Sequence, residues 1–292
     1  MDDRRSRYLV TTQWLQDHLE DPDLRVLDCT VFLRPVEGGG VRPESGRAEW
    51  EASHIPGAGF ADLPGELSDR STQLPVMMPP AAHFAEVMGR YGVGDDSRVV
   101  LYDAGSNMWA ARLWWMLRAF GFDRAAILDG GWKKWTAEKR PTASGSGPAR
   151  ERAVFTPREH SGLIAEWREV QASLAAPDVR LVNALSAEEH AGKVTRVARP
   201  GHIPGSANVP AGSLVDPATN VYLDSDTMRR AFERAGVSPD GRVITYCGGG
   251  IAACTDAFAL TLLGADNVAV YDGSLVEWSS KPELPMETGQ DA

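Results

Sequence analysis

Short apolar runs alternate along the chain with segments in which apolar side chains recur at helical spacing. Residues 242–246 are rich in β-branched side chains and predict a short buried strand. The helical spacing predicts helices over four segments, which are 81–91, 110–120, 227–235 and 252–263. Strands that alternate with helices are typical of a parallel sheet with helices on both faces. The pattern therefore predicts an α/β fold, in which ligands bind at the carboxyl ends of the strands.

Three sequence markers occur twice in the same order, at offsets between 143 and 148 residues. They are a His-Ile-Pro-Gly motif, an apolar strand and an Asp-Gly turn, and they begin at His54 and His202, at Val99 and Val243, and at Asp129 and Asp272. Such a repeat predicts two copies of one domain. Residues 141–148 are small, polar and bounded by prolines, which indicates a flexible or extended surface crossing. We therefore predict a first domain over 1–141, a linker over 142–160 and a second domain over 161–292.

A cysteine and three glycines separate the strand at 242–246 from the helix that follows it. Glycines there allow positive φ and let backbone N–H groups turn inward around the sulfur of Cys247. These donors and the positive end of the helix dipole favour a thiolate, which suits a nucleophile or a persulfide. The alternative is a buried structural cysteine, but the glycines cost chain entropy and pack against nothing. The residues expected to cradle the sulfur are Gly248, Gly249, Gly250, Ile251, Ala252 and Ala253.

The two copies differ where this chemistry would take place. Asp103 occupies the position in the first copy that Cys247 occupies in the second, and the loop after it is one residue longer. The first copy therefore lacks the nucleophile. We expect it to be a catalytically inactive domain whose surface helps to close the site of the second.

Composition and charge restrict the classes of partner. The net charge of −10, without a basic cluster, argues against nucleic acid. No apolar run approaches the roughly 20 residues that span a bilayer, so we expect no membrane partner. Three irregularly spaced cysteines and an N-terminus without an apolar signal core predict a reducing, cytoplasmic location.

With these residues in view, the chain resembles the rhodanese family, and within it the tandem-domain sulfurtransferases. The motifs that carry the resemblance are the repeated His-Ile-Pro-Gly, the Asp-Gly-Ser-x-x-Glu-Trp run from Asp272 and the single cysteine loop. The resemblance implies two tandem rhodanese-like domains of the α/β class, each a parallel sheet with helices on both faces. It also implies that Cys247 takes a sulfane sulfur from thiosulfate or 3-mercaptopyruvate and passes it from a persulfide to cyanide or a thiol. No metal and no organic cofactor are expected.

The residues that would bind the donor depart from the family pattern. Leu185 stands where catalytic domains carry an arginine that binds the donor anion, and Gly249 stands where mercaptopyruvate-type members carry a serine. Arg196 and Arg199 are the nearest local candidates for an anion site, although both could be solvated loop residues. Three further substrate-site candidates are Met108 and Trp109 as pocket wall, and Asp272 as a residue within reach of the cysteine loop. The histidines of the repeated motif, His54 and His202, fit a structural role in the turn.

Two other functions use a similar cysteine. A phosphatase of the rhodanese-related type needs an arginine six residues after the cysteine to grip phosphate, and that residue here is Ala253. A non-enzymatic persulfide carrier or sensor, loaded by a partner protein, is compatible with the missing arginine at Leu185. The carrier therefore stays open beside the sulfurtransferase.

Overall fold

The computed structural model describes residues 3–36 and 40–289, which leaves the outermost ends of the two predicted domains outside the described residues. The elements of the first half are α1 (Asp3–Tyr8), β1 (Leu9–Val10), α2 (Thr12–His18), β2 (Leu24–Asp28), β3 (Val31–Pro35), β4 (Val41–Ser45), α3 (Arg47–Ala52), β5 (Gly59–Phe60), α4 (Ala81–Arg90), β6 (Arg98–Tyr102), α5 (Met108–Ala119), β7 (Ala125–Leu128) and α6 (Gly131–Ala137). Those of the second half are β8 (Ile164–Ala165), α7 (Trp167–Ser173), β9 (Val179–Asn183), α8 (Ala187–His190), β10 (Ala207–Asn208), a 3-10 helix (Ala211–Leu214), α9 (Ser225–Arg234), β11 (Arg242–Tyr246), α10 (Ala252–Leu262), β12 (Val268–Tyr271) and α11 (Ser274–Trp278).

Each half contains a five-stranded parallel sheet, and the two sheets have the same topology. The strand order is β1-β7-β6-β2-β5 in the first half and β8-β12-β11-β9-β10 in the second. In each half the strand that precedes the predicted loop, β6 or β11, lies at the centre of its sheet. The α/β class and the internal duplication are therefore confirmed. The four predicted helices and the strand at 242–246 are present, with helix ends within two residues of their expected positions.

The chain divides into two compact units at His160 and Ser161. The first unit also contains Asp216–Tyr222, and the second also contains Arg34–Arg42. The predicted linker has no regular secondary structure between residues 144 and 160, and it lies along the first unit. Phe155 is buried there against Phe84 and Phe122. Apolar burial thus holds the crossing in place, in contrast to a loosely tethered linker.

The repeated histidines fix turns, as the sequence suggests. Nδ1 of His54 donates to the carbonyl of Trp50 at 2.6 Å, and Nδ1 of His202 donates to the carbonyl of His190 at 2.8 Å. The backbone of each histidine also forms an antiparallel bridge, His54 with Ala143 and His202 with Glu287. Because both copies use the imidazole in this way, the structural role is confirmed. Within the described ranges, no helix is both long and apolar enough to cross a lipid bilayer.

Candidate active site

Cys247 directly follows the central strand of the second sheet, and its side chain is buried. Four backbone N–H groups of the following loop and helix start converge on its sulfur, and they belong to Gly249, Gly250, Ala252 and Ala253. Strand, glycine loop and helix N-terminus are thus arranged as the sequence predicts. Donors aimed at one atom favour the anionic form of that atom over the protonated form.

Burial nevertheless has the larger effect on the Cys247 thiol. It raises the pKa of Cys247 above its ordinary value, and the four N–H groups offset only part of that increase. Burial therefore opposes the thiolate that the sequence analysis expects the loop donors to favour. The physical reason is that a charge transferred from water into a closed loop loses more solvation than the local hydrogen bonds return.

The Asp-Gly-Ser segment after β12 holds the cysteine loop in shape. The Ser274 hydroxyl accepts a hydrogen bond from the N–H of Cys247 at 3.1 Å, and the Leu275 N–H donates to the Cys247 carbonyl at 3.0 Å. The Val276 N–H donates to the carbonyl of Gly248 at 2.8 Å. The sequence analysis did not select Ser274, although the alignment of the two repeats points to it. The first copy has Gly131 at the corresponding position, so this position differs between the repeats.

Asp272 lies against the cysteine loop, as the sequence suggests. Gly250 has φ of +78°, and a Cβ added there would lie 2.6 Å from the Asp272 carbonyl oxygen and 3.1 Å from its Oδ1. Only glycine fits this conformation and this close approach. A Cβ on Gly248 or Gly249, in contrast, would meet no atom within 4 Å. The start of the loop therefore has open space beside it.

The loop of the first copy is filled by its own aspartate. Oδ1 of Asp103 accepts the N–H groups of Gly105 and Asn107, and Oδ2 accepts those of Trp109 and Ala110, at 2.8 to 3.1 Å. Burial raises the pKa of this carboxyl, and the four donors counter the effect. The first loop thus presents the same kind of four-donor cradle, occupied by an internal carboxylate. This explains why it holds no reactive group.

A segment from the second half of the sequence covers this loop within the first unit. Asn107 donates from Nδ2 to the carbonyl of Asn220 at 2.6 Å, and Asn220 donates from its own Nδ2 to the carbonyl of Gly105. The N–H of Tyr222 donates to Oδ1 of Asp129 at 2.9 Å. Asp129 therefore has a structural role in the first unit.

The two arginines proposed as an anion site have different surroundings. Arg199 donates to four backbone carbonyls, those of Trp278, Ser279, Lys281 and Leu284, at 2.8 to 3.2 Å. The Arg199 guanidinium thus fixes the C-terminal segment. This corrects the expectation that Arg199 binds the donor anion. Arg196 is half exposed, and its Nε lies 3.3 Å from Oε1 of Glu189. It stays a candidate.

The proposed pocket-wall residues open helix α5 of the first unit. Trp109 is buried and Met108 is half-buried. Their part in substrate binding stays a prediction. Among the described residues, no group of histidine, cysteine and carboxylate side chains is arranged to hold a metal ion.

A buried histidine pair gives the second unit a pH-dependent stability. His190 stacks on His202 with 3.7 Å between ring centroids, and Asn183 donates to its Nδ1 at 3.1 Å. Burial, followed by the charge of His202, lowers the pKa of His190 from 6.5 to about 4. A lowered histidine pKa means that the unfolded chain binds the proton more tightly, so stability is complete above pH 6.5 and falls as the pH decreases toward 4.

We expect His190 to contribute a loss of up to about 3 kcal/mol in the free energy of unfolding across this range, at about 1.4 kcal/mol per pH unit. Urea denaturation between pH 7 and 4 measures it. The difference in the free energy of unfolding between wild type and His190→Gln should shrink as the pH decreases. His160→Gln alters an exposed histidine, so its free energy of unfolding should depend on pH as that of the wild type does. A constant difference at every pH would contradict the prediction.

Comparison with known proteins places the whole chain in one family. The rhodanese-like domain model matches residues 11–138 and 166–281, one match in each half. The 3-mercaptopyruvate sulfurtransferase of Homo sapiens is 33% identical over an aligned length of 298 residues. The alignment covers 97% of this chain and 96% of the human protein. The mitochondrial thiosulfate/3-mercaptopyruvate sulfurtransferase 1 of Arabidopsis thaliana is 31% identical over 97% of this chain and 79% of its own length.

A solved structure agrees with these relatives. The crystal structure of SseA from Escherichia coli, a 3-mercaptopyruvate sulfotransferase with the rhodanese fold, superposes with a TM-score of 0.82 at 30% identity. The match covers 92% of this chain and 99% of that one. Family model, full-length relatives and structure thus agree with the duplicated sheet and its single cysteine loop. The chain belongs to the rhodanese family, as a tandem-domain member of the thiosulfate/3-mercaptopyruvate sulfurtransferases.

Proposed function

We propose that Cys247 is the nucleophile of this sulfurtransferase and carries the transferred sulfur as a persulfide. The observation that supports this most directly is the convergence of four N–H groups on its sulfur. The thiolate attacks the sulfane sulfur of the donor, an S–S bond forms, and the donor's bond to that sulfur breaks. Thiosulfate then leaves as sulfite. With 3-mercaptopyruvate the C–S electron pair stays on the methylene carbon, which takes up a proton from solvent to give pyruvate. The outer sulfur is next attacked by the acceptor, and the Cys247 thiolate is regenerated.

The same four donors serve both halves of this cycle. Hydrogen bonds to an anion favour that anion, so the cradle stabilises the thiolate before attack and the persulfide anion after it. The burial that raises the pKa of the resting thiol also excludes water from the sulfur. Exclusion of water strengthens each N–H contact with the developing charge.

The substrates that we propose are thiosulfate or 3-mercaptopyruvate as donor and a thiol as the cellular acceptor. The names of the human and Arabidopsis relatives support these donors. Arg196 is the side chain of the second unit that we propose for the donor anion, because Arg199 is held by backbone carbonyls. Met108, Trp109 and Asp272 complete the proposed substrate residues.

We also propose a cytoplasmic location. Cys29, Cys247 and Cys254 are all free and buried, which suits a reducing compartment. A reducing compartment keeps the Cys247 thiol available for attack on the sulfur donor.

Parallel steady-state assays test the enzymatic function. Thiosulfate and 3-mercaptopyruvate are supplied separately with cyanide as acceptor, and thiocyanate is measured. We expect rapid turnover with at least one free donor, with a kcat in the range of about 1 to 1,000 per second that is typical of enzymes. Arg196→Ala should raise the KM for that donor, because a charge-assisted contact to the donor anion is lost.

The carrier alternative predicts a different result in the same assays. A carrier would give no turnover with either free donor and would acquire a persulfide on Cys247 only when a cysteine desulfurase is added. Intact-protein mass spectrometry detects the extra sulfur atom. That result would replace the enzyme proposal with the carrier.

A further inference from the structure

Ser274 has an unfavourable backbone conformation in the interior of the second unit. Its φ is +46°, a left-handed value that side-chain-bearing residues rarely adopt, and the residue is fully buried. Strain of this kind persists only where the surrounding structure enforces it, and it concentrates at functional sites. The residue directly follows the Asp-Gly turn beside the cysteine loop. Contacts specific to this position must therefore explain why Ser274 keeps a positive φ.

Comparison with the first repeat shows that the left-handed turn itself belongs to the fold that both repeats share. Gly131 is the counterpart of Ser274, and its φ is +53°. The residue after it makes the matching contact, because the N–H of Trp132 donates to the carbonyl of Asp103 at 3.1 Å. Both repeats thus need the left-handed turn, and glycine provides it without steric cost in the repeat that has no nucleophile. The repeat with Cys247 has a serine there despite the cost.

The serine hydroxyl supplies two contacts that glycine cannot make. It accepts the N–H of Cys247 at 3.1 Å and donates to the carbonyl of Tyr271 at 2.7 Å. The hydroxyl thereby ties the peptide group of the cysteine to the end of the neighbouring strand β12. Together with the Leu275 N–H on the Cys247 carbonyl, it fixes the backbone on both sides of the Cys247 Cα.

We propose that Ser274 is a positioning residue for sulfur transfer, which rests on the proposed role of Cys247. Its hydroxyl fixes the orientation of the Cys247 backbone, and this places the sulfur at the point where the N–H groups of Gly249, Gly250, Ala252 and Ala253 converge. Small displacements of a reacting atom from such donors reduce the rate strongly. In this left-handed turn, which both repeats adopt, the hydroxyl contacts both partners at once.

Two variants of Ser274 separate the hydroxyl from the backbone strain. Ser274→Gly removes the hydroxyl and the strain, and Ser274→Ala removes only the hydroxyl. The matched control is Ser279→Ala, because the Ser279 hydroxyl is buried nearby in sequence and has no hydrogen-bond partner among the residues that the structure describes. The readouts are kcat and KM for the donor, the pH dependence of Cys247 alkylation by iodoacetamide, and the melting temperature.

We expect Ser274→Gly and Ser274→Ala to lower kcat by about 10- to 100-fold, with the donor KM changed less than about threefold. The alkylation profile should move to higher pH, because the N–H groups then stabilise the thiolate less well. Ser279→Ala should leave kcat and the pH profile unchanged.

A different pattern would overturn the proposal. If Ser274→Gly kept kcat and the alkylation profile of the wild type, the hydroxyl would have no part in the chemistry and the serine would be structural. Failure of the proposed function itself is a separate result, since Cys247→Ala would then retain sulfur transfer.

Discussion

Replacement of Cys247 by alanine is expected to abolish sulfur transfer, with a decrease in kcat/KM of at least about 10,000-fold. Cys247 is the residue on whose sulfur the four loop N–H groups converge, and a persulfide cannot form without that sulfur. The measurement is thiocyanate production with the donor that the wild type uses. The fold should persist, because alanine fills a small buried position after the central strand and introduces no polar group.

The other two cysteines provide the controls for this prediction. Cys254 is buried on α10, and its thiol donates to the carbonyl of Gly250 at 3.1 Å. Cys29 is buried in the first unit, and burial raises its pKa well above the ordinary value. We expect Cys254→Ala and Cys29→Ala to retain kcat within a few-fold, because the Cys254 thiol donates to the Gly250 carbonyl and burial raises the pKa of the Cys29 thiol. Persulfide found on Cys254 in the Cys247→Ala variant would contradict the assignment of the nucleophile.

The fold and the place of Cys247 between the central strand and the following helix were predictable because both depend on local patterns. The β-branched run before Cys247, the glycines after it and the helical spacing beyond are all contiguous in sequence. The repeat of His54 at His202 added the domain duplication, and the histidine contacts show why both copies need the residue.

The features that were not predictable depend on partners distant in the chain. Arg199 binds carbonyls that lie about 80 residues away, and no local pattern distinguishes such an arginine from an anion-binding one. The raised pKa of Cys247 depends on how completely the fold buries the sulfur, whereas the sequence shows only the favourable donors. The role of Ser274 was visible only as a single difference from Gly131, and its meaning requires the hydroxyl contacts.

The aspartate of the first loop should contribute more to stability than an ordinary polar residue. Asp103→Ala is expected to lower the free energy of unfolding by about 2 to 4 kcal/mol, as judged by urea denaturation at pH 7. Four backbone N–H groups would lose their acceptor, and those of Asn107, Trp109 and Ala110 lie in the interior of the first unit, whereas Gly105 is exposed. The loss is smaller than four full hydrogen bonds, because the variant also removes a carboxyl whose pKa burial has raised.

Asp95 offers a matched control for this variant in the same unit. It is exposed and accepts the N–H of Thr156 at 2.7 Å, so Asp95→Ala should cost less than about 1 kcal/mol. If Asp103→Ala lowered the free energy of unfolding as little as Asp95→Ala does, water would satisfy the four N–H donors. The first loop would then not need an anion. A large loss would instead show that this loop geometry requires an acceptor for its four N–H groups at its centre. That requirement is the physical property by which the second loop, with the same strand–loop–helix arrangement, would hold a sulfur anion at Cys247.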